Sequence, residues 1–277
     1  MTVRLNSPSR PPRRFSTTGW IFIFFMCAVF AHAADIADGQ KQYLAGNYSA
    51  AIRLAAAEVA ATPNNEEWQL LLGQTLLTVG RVADAEEAVT KAITSLPVSL
   101  RLRWLARDVA LASGRPEQAI KLAESIRQLY SDRPWAYRTA PDLVVFGRMM
   151  LLLGVDPKDV LDKVYGPAQK ISPALRDVYL ARGDLALEKH DFALAATAYG
   201  EGLKQLPDDP DLNFGLARAH EEGDRKVMIA ALDTALKQNP RHVPSLLLFA
   251  DHRIDEENYT EAAKLLDQVV AVNSMQP

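Results

Sequence analysis

The chain has 277 residues, of which 48% are hydrophobic and 23% charged, with 14 Gly, 16 Pro and one Cys. This composition excludes a disordered, collagen-like or disulfide-stapled chain, and its 41 Ala and 36 Leu residues favour an all-α protein. The formal net charge of -3 becomes -7 without residues 1–33, whose only charged residues are four arginines. Because such a body lacks a basic footprint, we expect no nucleic-acid partner.

The first 33 residues are typical of an export signal. Four arginines precede an apolar stretch at 20–30, and Ala31-His32-Ala33 then supplies a small-x-small cleavage pattern. We predict cleavage after Ala33 and a periplasmic or secreted mature protein. The alternative is an uncleaved N-terminal anchor, although the stretch is shorter than the roughly 20 residues of a membrane span. Cys27 leaves with the signal, so the predicted mature chain has no thiol.

A repeated spacing runs through the rest of the chain. The distances from Pro63 to Pro97 and from Gly80 to Gly114 are both 34 residues. A period of this length predicts units of two helices that stack on one another. The fourth unit is irregular, because six residues precede its first helix and two more follow Gly154. The seven predicted units cover 32–65, 66–99, 100–133, 140–175, 176–209, 210–242 and 243–276.

The residues at fixed places in these units are similar to those of the tetratricopeptide repeat. The second unit carries Trp68, Leu72, Gly73, Leu76, Gly80, Ala85, Val89, Ala92 and Pro97. The fifth unit carries Tyr179, Gly183, Ala186, Phe192, Ala195, Tyr199, Gly202 and Pro207. The resemblance, to exported bacterial members of the family, implies an all-α right-handed superhelical solenoid of antiparallel helix pairs. It would comprise repeats 1–3 at 34–133, the irregular repeat 4 at 134–175 and repeats 5–7 at 176–277.

The spacing has a physical reason, because the two helices of a unit must pack closely. Small residues at the eighth and twentieth positions, such as Gly183 with Ala195, are expected to let them approach. A glycine near position fifteen ends the first helix in a left-handed conformation, and His190 replaces it in the fifth unit. Since no unit can bury its apolar face alone, stability is expected to come from stacking.

Motifs for independent catalysis are weak. His220-Glu221-Glu222-Gly223 begins like a zinc-peptidase motif but lacks the second histidine. Asp251, His252 and Asp255 have a spacing that could hold a metal, although a solvated or core-facing histidine is the favoured interpretation. The acids at 208–211 are interpreted as helix-start residues. We therefore expect no catalytic residues, no cofactor and no metal.

A concave groove is the remaining candidate site. The resemblance implies that the second, fifth, ninth, twelfth and thirteenth positions of each first helix line it. An apolar spine flanked by mixed charges suits an extended or helical peptide, although much of the spine could instead pack against the adjacent helix. The predicted groove residues are Leu70, Gln74, Leu77, Trp104, Asp108, Leu111, Arg148, Leu180, Asp184, Leu187, Phe214 and Arg218.

The function that the resemblance implies is that of an exported scaffold with a protein or peptide partner. Membrane contact is expected only if the signal is retained. The first alternative is the N-terminal array of a larger secreted zinc-peptidase-type protein, since no polar capping helix precedes Pro277. The second alternative is a membrane-tethered assembly factor. Fold alone does not choose between these functions.

Overall fold

The computed structural model describes residues 35–275. The predicted export signal, its cleavage site and Cys27 lie outside these residues. The repeats belong to one compact unit that comprises residues 34–277.

Within residues 35–275, fourteen helices follow one another as seven packed pairs, which we number repeats 1 to 7. Repeats 1 to 3 are α1 (Ile36–Leu44) with α2 (Tyr48–Ala61), α3 (Glu66–Thr78) with α4 (Val82–Ser95), and α5 (Leu100–Ala112) with α6 (Pro116–Asp132). Repeat 4 is α7 (Ala140–Leu152) with α8, which runs through Pro157–Val160, a π-helical turn at Leu161–Tyr165, and Gly166–Ile171. Repeats 5 to 7 are α9 (Arg176–Glu188) with α10 (Phe192–Gln205), α11 (Pro210–Ala219) with α12 (Arg225–Gln238), and α13 (Val243–Asp255) with α14 (Tyr259–Val272). This is the all-α solenoid that the sequence predicts.

Side-chain caps fix the start of most first helices. Asn65, Ser99, Thr139 and Asp209 each accept a hydrogen bond from an amide in the first turn of α3, α5, α7 and α11. Such a cap satisfies one of the amides that have no partner within the helix, and its loss typically costs about 1 kcal/mol. The capping residues therefore mark the point at which each repeat begins.

Left-handed residues form the turns between the two helices of a repeat. Gly46, Gly80, Gly114 and Gly154 have φ between 69° and 77°. In repeats 5 and 7 the same place is taken by His190 at φ 56° and Glu257 at φ 58°. The prediction that His190 replaces the turn glycine is therefore correct, and the turn keeps its conformation without glycine.

The close approach within a repeat differs in one detail from the sequence expectation. A side chain at Gly183 would overlap the ring of Tyr199, and one at Gly73 would overlap Leu105 and Val89. Tyr199 and Val89 occupy the twenty-fourth position of their units, whereas the pattern pairs these glycines with the alanine at the twentieth. The alanines are fully buried, but the larger residue one turn later is what requires the glycine.

Repeat 4 absorbs its two extra residues in separate places. Four residues connect α7 to α8, where three connect α9 to α10, and the π-helical turn takes up the second extra residue. As a result the ring of Tyr165 still lies against Gly147, as the ring of Tyr199 lies against Gly183. The insertion therefore leaves this contact between the two helices of the repeat in place.

The chain returns to itself after five repeats. Tyr48 in repeat 1 contacts residues that follow α12 of repeat 6, and Thr78 in repeat 2 contacts Asn273 after α14 of repeat 7. We call these two places the edge contacts. They bring the first and last repeats together around the space that the first helices enclose.

Candidate functional site

The first helices of the repeats surround a cavity of about 780 Å³. Its size falls within the range of 300–1,000 Å³ that is usual for ligand pockets. Side chains from every repeat contribute to its wall, so the cavity exists only because the solenoid curves. Of the twelve predicted groove residues, nine lie on this wall: Leu70, Gln74, Leu77, Trp104, Asp108, Arg148, Leu180, Asp184 and Phe214.

The other three predicted groove residues lie away from the cavity wall. Leu111 is exposed near the end of α5, and Leu187 is buried in the core between α9 and α10. Arg218 lies over the ring of Phe214, with 6.0 Å from its guanidinium carbon to the ring centroid. Two of the three occupy the twelfth position, so the wall follows the fifth and ninth positions more closely than the twelfth.

The charges on the wall are largely paired within the protein. Arg101 forms ion pairs with Glu66, at 3.0 Å, and with Glu67. Asp108 accepts a hydrogen bond from Arg107 at 2.7 Å, and burial raises the pKa of its carboxyl group. Asp184 accepts a hydrogen bond from the hydroxyl of Tyr199 at 2.8 Å.

Arg148 differs from the other cations of the wall. Within residues 35–275 its guanidinium makes no ion pair or direct hydrogen bond, whereas Arg101 and Arg176 are both ion-paired. It is half-buried on α7. Its charge does act at longer range on the carboxylate of Asp108 and on the hydroxyl of Tyr165. Because it bonds directly to neither group, it can also bind an anionic group of a ligand, and that interaction is weakly screened inside a cavity.

A buried polar cluster joins repeats 5, 6 and 7 at the wall. Arg176 at the start of α9 donates from Nε to Asp209 at 2.6 Å and pairs with Asp211. Asp211 also accepts a hydrogen bond from Nε2 of His242 at 2.9 Å, and the other ring nitrogen of His242 bonds to Ser245 at 2.7 Å. The interpretation of Asp209 as a helix-start residue is correct, since its carboxylate caps α11.

The environment of His242 keeps the imidazole neutral. Burial, followed by the charge of Arg176, lowers the pKa of His242 from 6.5 to about 4. Sequence reasoning missed both Arg176 and His242. The signal that could have identified them is a spacing of 33 residues, which separates Arg176 from Asp209 and Asp209 from His242.

Aromatic side chains occupy two further parts of the wall. The guanidinium carbon of Arg107 lies 4.5 Å from the ring centroid of Trp104. The hydroxyl of Tyr43 hydrogen bonds with Gln74 at 3.2 Å and with Thr78 at 3.3 Å, and burial raises its pKa. These contacts hold the rings in fixed orientations against the cavity.

The histidine with metal-like spacing is a core residue. His252 is buried and stacks on Phe249 with 6.4 Å between the ring centroids. Within the described part of the chain, no group of three or more His, Cys, Asp or Glu side chains is arranged to hold a metal ion.

Comparison with known families agrees with this architecture. A tetratricopeptide repeat model matches residues 39–99, 70–134 and 180–227, which together cover just over half of the chain. The chain therefore belongs to the tetratricopeptide repeat family. Repeats of this family form scaffolds for protein–protein interaction. A search of curated proteins found no match to the chain.

Solved structures show the same fold at low sequence identity. A tetratricopeptide repeat protein from Parabacteroides merdae ATCC 43184 is 13% identical, with a TM-score of 0.53 over 86% of this chain and 91% of that chain. The APC/C hetero-tetramer Cut9–Hcn1 is 16% identical, with a TM-score of 0.50 over 86% of this chain. This chain spans only 44% of that one. These likenesses show the superhelical solenoid and not a shared partner.

Proposed function

We propose that this protein is an exported scaffold that binds a polypeptide segment in the cavity formed by its first helices. One observation carries the proposal: nine side chains chosen from repeat positions alone meet on a single cavity wall. The wall combines apolar residues with rigidly held aromatic rings. Such a surface suits a peptide, whose backbone and side chains present both polar and apolar groups.

The wall carries three arginines and four aspartates, so the proposal of an acidic segment as the partner rests on Arg148 and not on the net charge. Arg148 is the wall cation that the protein leaves unpaired within residues 35–275. Trp104 on the neighbouring repeat offers a large apolar face, and aromatic anchors often dominate interfaces. An acidic residue next to an apolar one would engage both.

A paired substitution tests this proposal. Trp104→Ala with Arg148→Glu should abolish capture of partners from a periplasmic extract, because truncating an anchor commonly costs at least about 2 kcal/mol of affinity. Capture by the unaltered protein should also weaken as salt rises. The readout is the set of proteins retained on the immobilised chain, with helicity checked by circular dichroism.

The chain offers a matched control. Trp135→Ala with Arg138→Glu makes the same chemical changes at two exposed residues that do not line the cavity. This variant should retain the partners. If the Trp104 and Arg148 variant stays folded and also retains every partner, the cavity is not the working face.

Export is supported by the N-terminal sequence. The arginines, the apolar stretch and Ala31-His32-Ala33 form the order expected of a cleaved signal, and the compact unit of the repeats begins at Ala34. Among residues 35–275, no helix is both long and apolar enough to cross a membrane. N-terminal sequencing of the protein from its native host should give Ala34 as the first residue. Membrane-bound protein that retains residues 1–33 would contradict export by cleavage.

A further inference from the structure

The two edge contacts are built from the same kinds of residues. At the first, Nδ2 of Asn239 donates to the hydroxyl of Tyr48 at 3.1 Å, and that hydroxyl donates to the carbonyl of Arg241 at 3.3 Å. At the second, Nδ2 of Asn273 donates to the carbonyl of Thr78 at 3.3 Å. In each case the asparagine follows the second helix of its repeat and faces the turn glycine of a repeat five places earlier. The asparagine and the glycine of the second contact each lie 34 residues after those of the first, whereas the hydrogen-bond acceptors, the Tyr48 hydroxyl and the Thr78 carbonyl, differ.

At the end of the second helix of a repeat, asparagine occurs only in the two repeats that make these contacts. The residues that end the second helices of repeats 1 to 7 are, in order, Thr62, Leu96, Arg133, Ser172, Leu206, Asn239 and Asn273. Both asparagines are buried, and each also accepts a hydrogen bond from the amide two residues later. This position therefore carries asparagine in repeats 6 and 7 alone.

Glycine is required at positions 46 and 80 because an asparagine side chain lies close to each, as well as because of the backbone angle there. A side chain at Gly46 would overlap the amide oxygen of Asn239, and one at Gly80 would overlap that of Asn273. At Gly114, which has the same left-handed conformation, nothing lies within 4 Å. His190 and Glu257 show that the turn accepts a side chain where no asparagine approaches. The edge contacts are thus specified by residues on both sides.

The edge contacts also form part of the cavity wall. Tyr48, Asn239 and Asn273 line the cavity, together with Tyr43 and Met275. The hydrogen bonds that cross the contacts are few, at 3.1–3.4 Å, and repeats 1 and 2 contribute Tyr43, Tyr48 and Val79 to the apolar cluster there. Each of the seven repeats is joined to its neighbours by whole helices. We therefore expect the body to separate first at the edge contacts, and their separation would widen the cavity.

We propose that the edge contacts between repeats 1 and 2 and repeats 6 and 7 form a reversible closure that limits access to the cavity. This inference rests on the proposed function for its purpose, because the cavity is the site at which we place the partner. In the closed state a short extended segment fits the enclosed volume. A larger partner enters when the two edges move apart, and small rotations shared among the middle repeats allow that movement.

Thiol labelling tests the closure without a partner. Residues 34–277 contain no cysteine, so Leu180→Cys places a single thiol on the cavity wall of a chain that begins at Ala34. In this background, Gly46→Ala with Gly80→Ala should raise the rate of labelling by a polyethylene-glycol maleimide several-fold. The matched control is Gly114→Ala with Gly154→Ala, which adds the same strain at the same backbone angles where nothing lies within 4 Å. The control should label at the rate of the parent.

A second pair of substitutions, at the asparagines, keeps the test decisive if the variant with Gly46→Ala and Gly80→Ala does not fold. Asn239→Ala with Asn273→Ala removes the side-chain donors to Tyr48 and Thr78 and leaves no oxygen that could accept from the Tyr48 hydroxyl in return. This variant should also label faster than the parent. Labelling at the parent rate in whichever of these variants folds would overturn the closure.

Partner capture separates this inference from the function on which it rests. The opened variants should capture partners from a periplasmic extract faster than the control pair. Faster labelling without any capture by the parent would contradict the proposed function and leave the closure supported. Capture at equal rates, together with equal labelling, would leave the function supported and remove the closure.

Discussion

The eighth position of a repeat needs glycine because a neighbouring side chain leaves no room for a larger residue, and not because of the backbone angle. Gly183 lies within α9, and any side chain there meets the ring of Tyr199. Gly200 lies within α10, where a side chain would meet nothing within 4 Å. The two glycines share a helical backbone and differ only in their neighbours. They therefore separate the cost of crowding from the gain in helix propensity.

We expect Gly183→Ala to lower the free energy of unfolding by about 1–3 kcal/mol through overpacking. Gly200→Ala should raise it by about 1 kcal/mol, because alanine is the better helix former. Urea denaturation followed by circular dichroism measures both. Equal midpoints for the unaltered protein and Gly183→Ala would show that α9 and α10 do not pack as described.

His242 should make stability depend on pH. Its pKa is about 4 in the folded chain, against 6.5 as the reference value. Between these values the unfolded chain binds a proton that the folded chain does not, so stability is full above pH 6.5 and falls as the pH drops towards 4. The loss is on the order of 3 kcal/mol. Urea midpoints over this range should therefore fall with pH.

The variant His242→Asn should flatten that slope, because no titrating ring remains beside Asp211. His190→Asn is the control: His190 is exposed, and asparagine tolerates its left-handed conformation. The slope should persist in the control. A slope that survives in His242→Asn would assign the pH dependence to other groups.

At the level of the elements, Arg176 holds α9 against α11. The side chain of Arg176 is 20% exposed, and that of Asp209, with which it pairs, is 3% exposed. Arg176→Ala leaves that carboxylate buried without a cation, which we expect to lower the free energy of unfolding by about 3–5 kcal/mol. Chemical denaturation measures the loss.

A double variant shows whether the loss comes from the stranded charge. Arg176→Met with Asp209→Asn removes both charges, keeps an apolar chain of similar length and keeps a good capping residue for α11. It should recover most of the lost stability. If the double variant is as unstable as Arg176→Ala, the loss of stability does not come from the stranded carboxylate of Asp209.

The helices and turns were accessible to sequence reasoning because their causes are local. A capping residue such as Asn65 and a turn residue such as His190 act within a few positions. The π-helical turn at Leu161–Tyr165 was not predicted, since it compensates for an insertion by restoring contact between Tyr165 and Gly147. That contact exists only once both helices are in place.

At the level of the whole molecule, the edge contacts should protect repeats that would otherwise fray. End repeats of an open solenoid have one neighbour, so their amides exchange fastest. Here repeats 1 and 7 each have a second neighbour. Asn239→Ala with Asn273→Ala should speed hydrogen exchange in α2 and α14 and leave α9 unchanged. Ser172→Ala, at the same place in repeat 4, should leave the exchange rates of both end repeats unchanged. Unchanged exchange in the double variant would show that the end repeats do not stabilise each other.

The candidate site was only partly predictable, because some of its features have local causes and others depend on several repeats together. Positions within one helix set the direction of Trp104 and Arg148, so repeat numbering placed them on the wall. The closure depends on curvature summed over five repeats, which no single unit encodes. Asn239 and Asn273 are the sequence features that accompany the closure. They indicate a contact only when the glycines that face them are known.

The edge contacts also constrain how this gene can change. Tandem repeats usually vary in copy number, since a unit that touches only its neighbours can be duplicated or deleted without disturbing the rest. In this chain an added unit between repeats 2 and 6 would present Leu206, in place of Asn239, to Gly46. The number of intervening units is thereby fixed at the value that the curvature demands. The repeat number is therefore set by two glycines that face two asparagines. The protein can still change its binding properties through substitutions on the cavity wall.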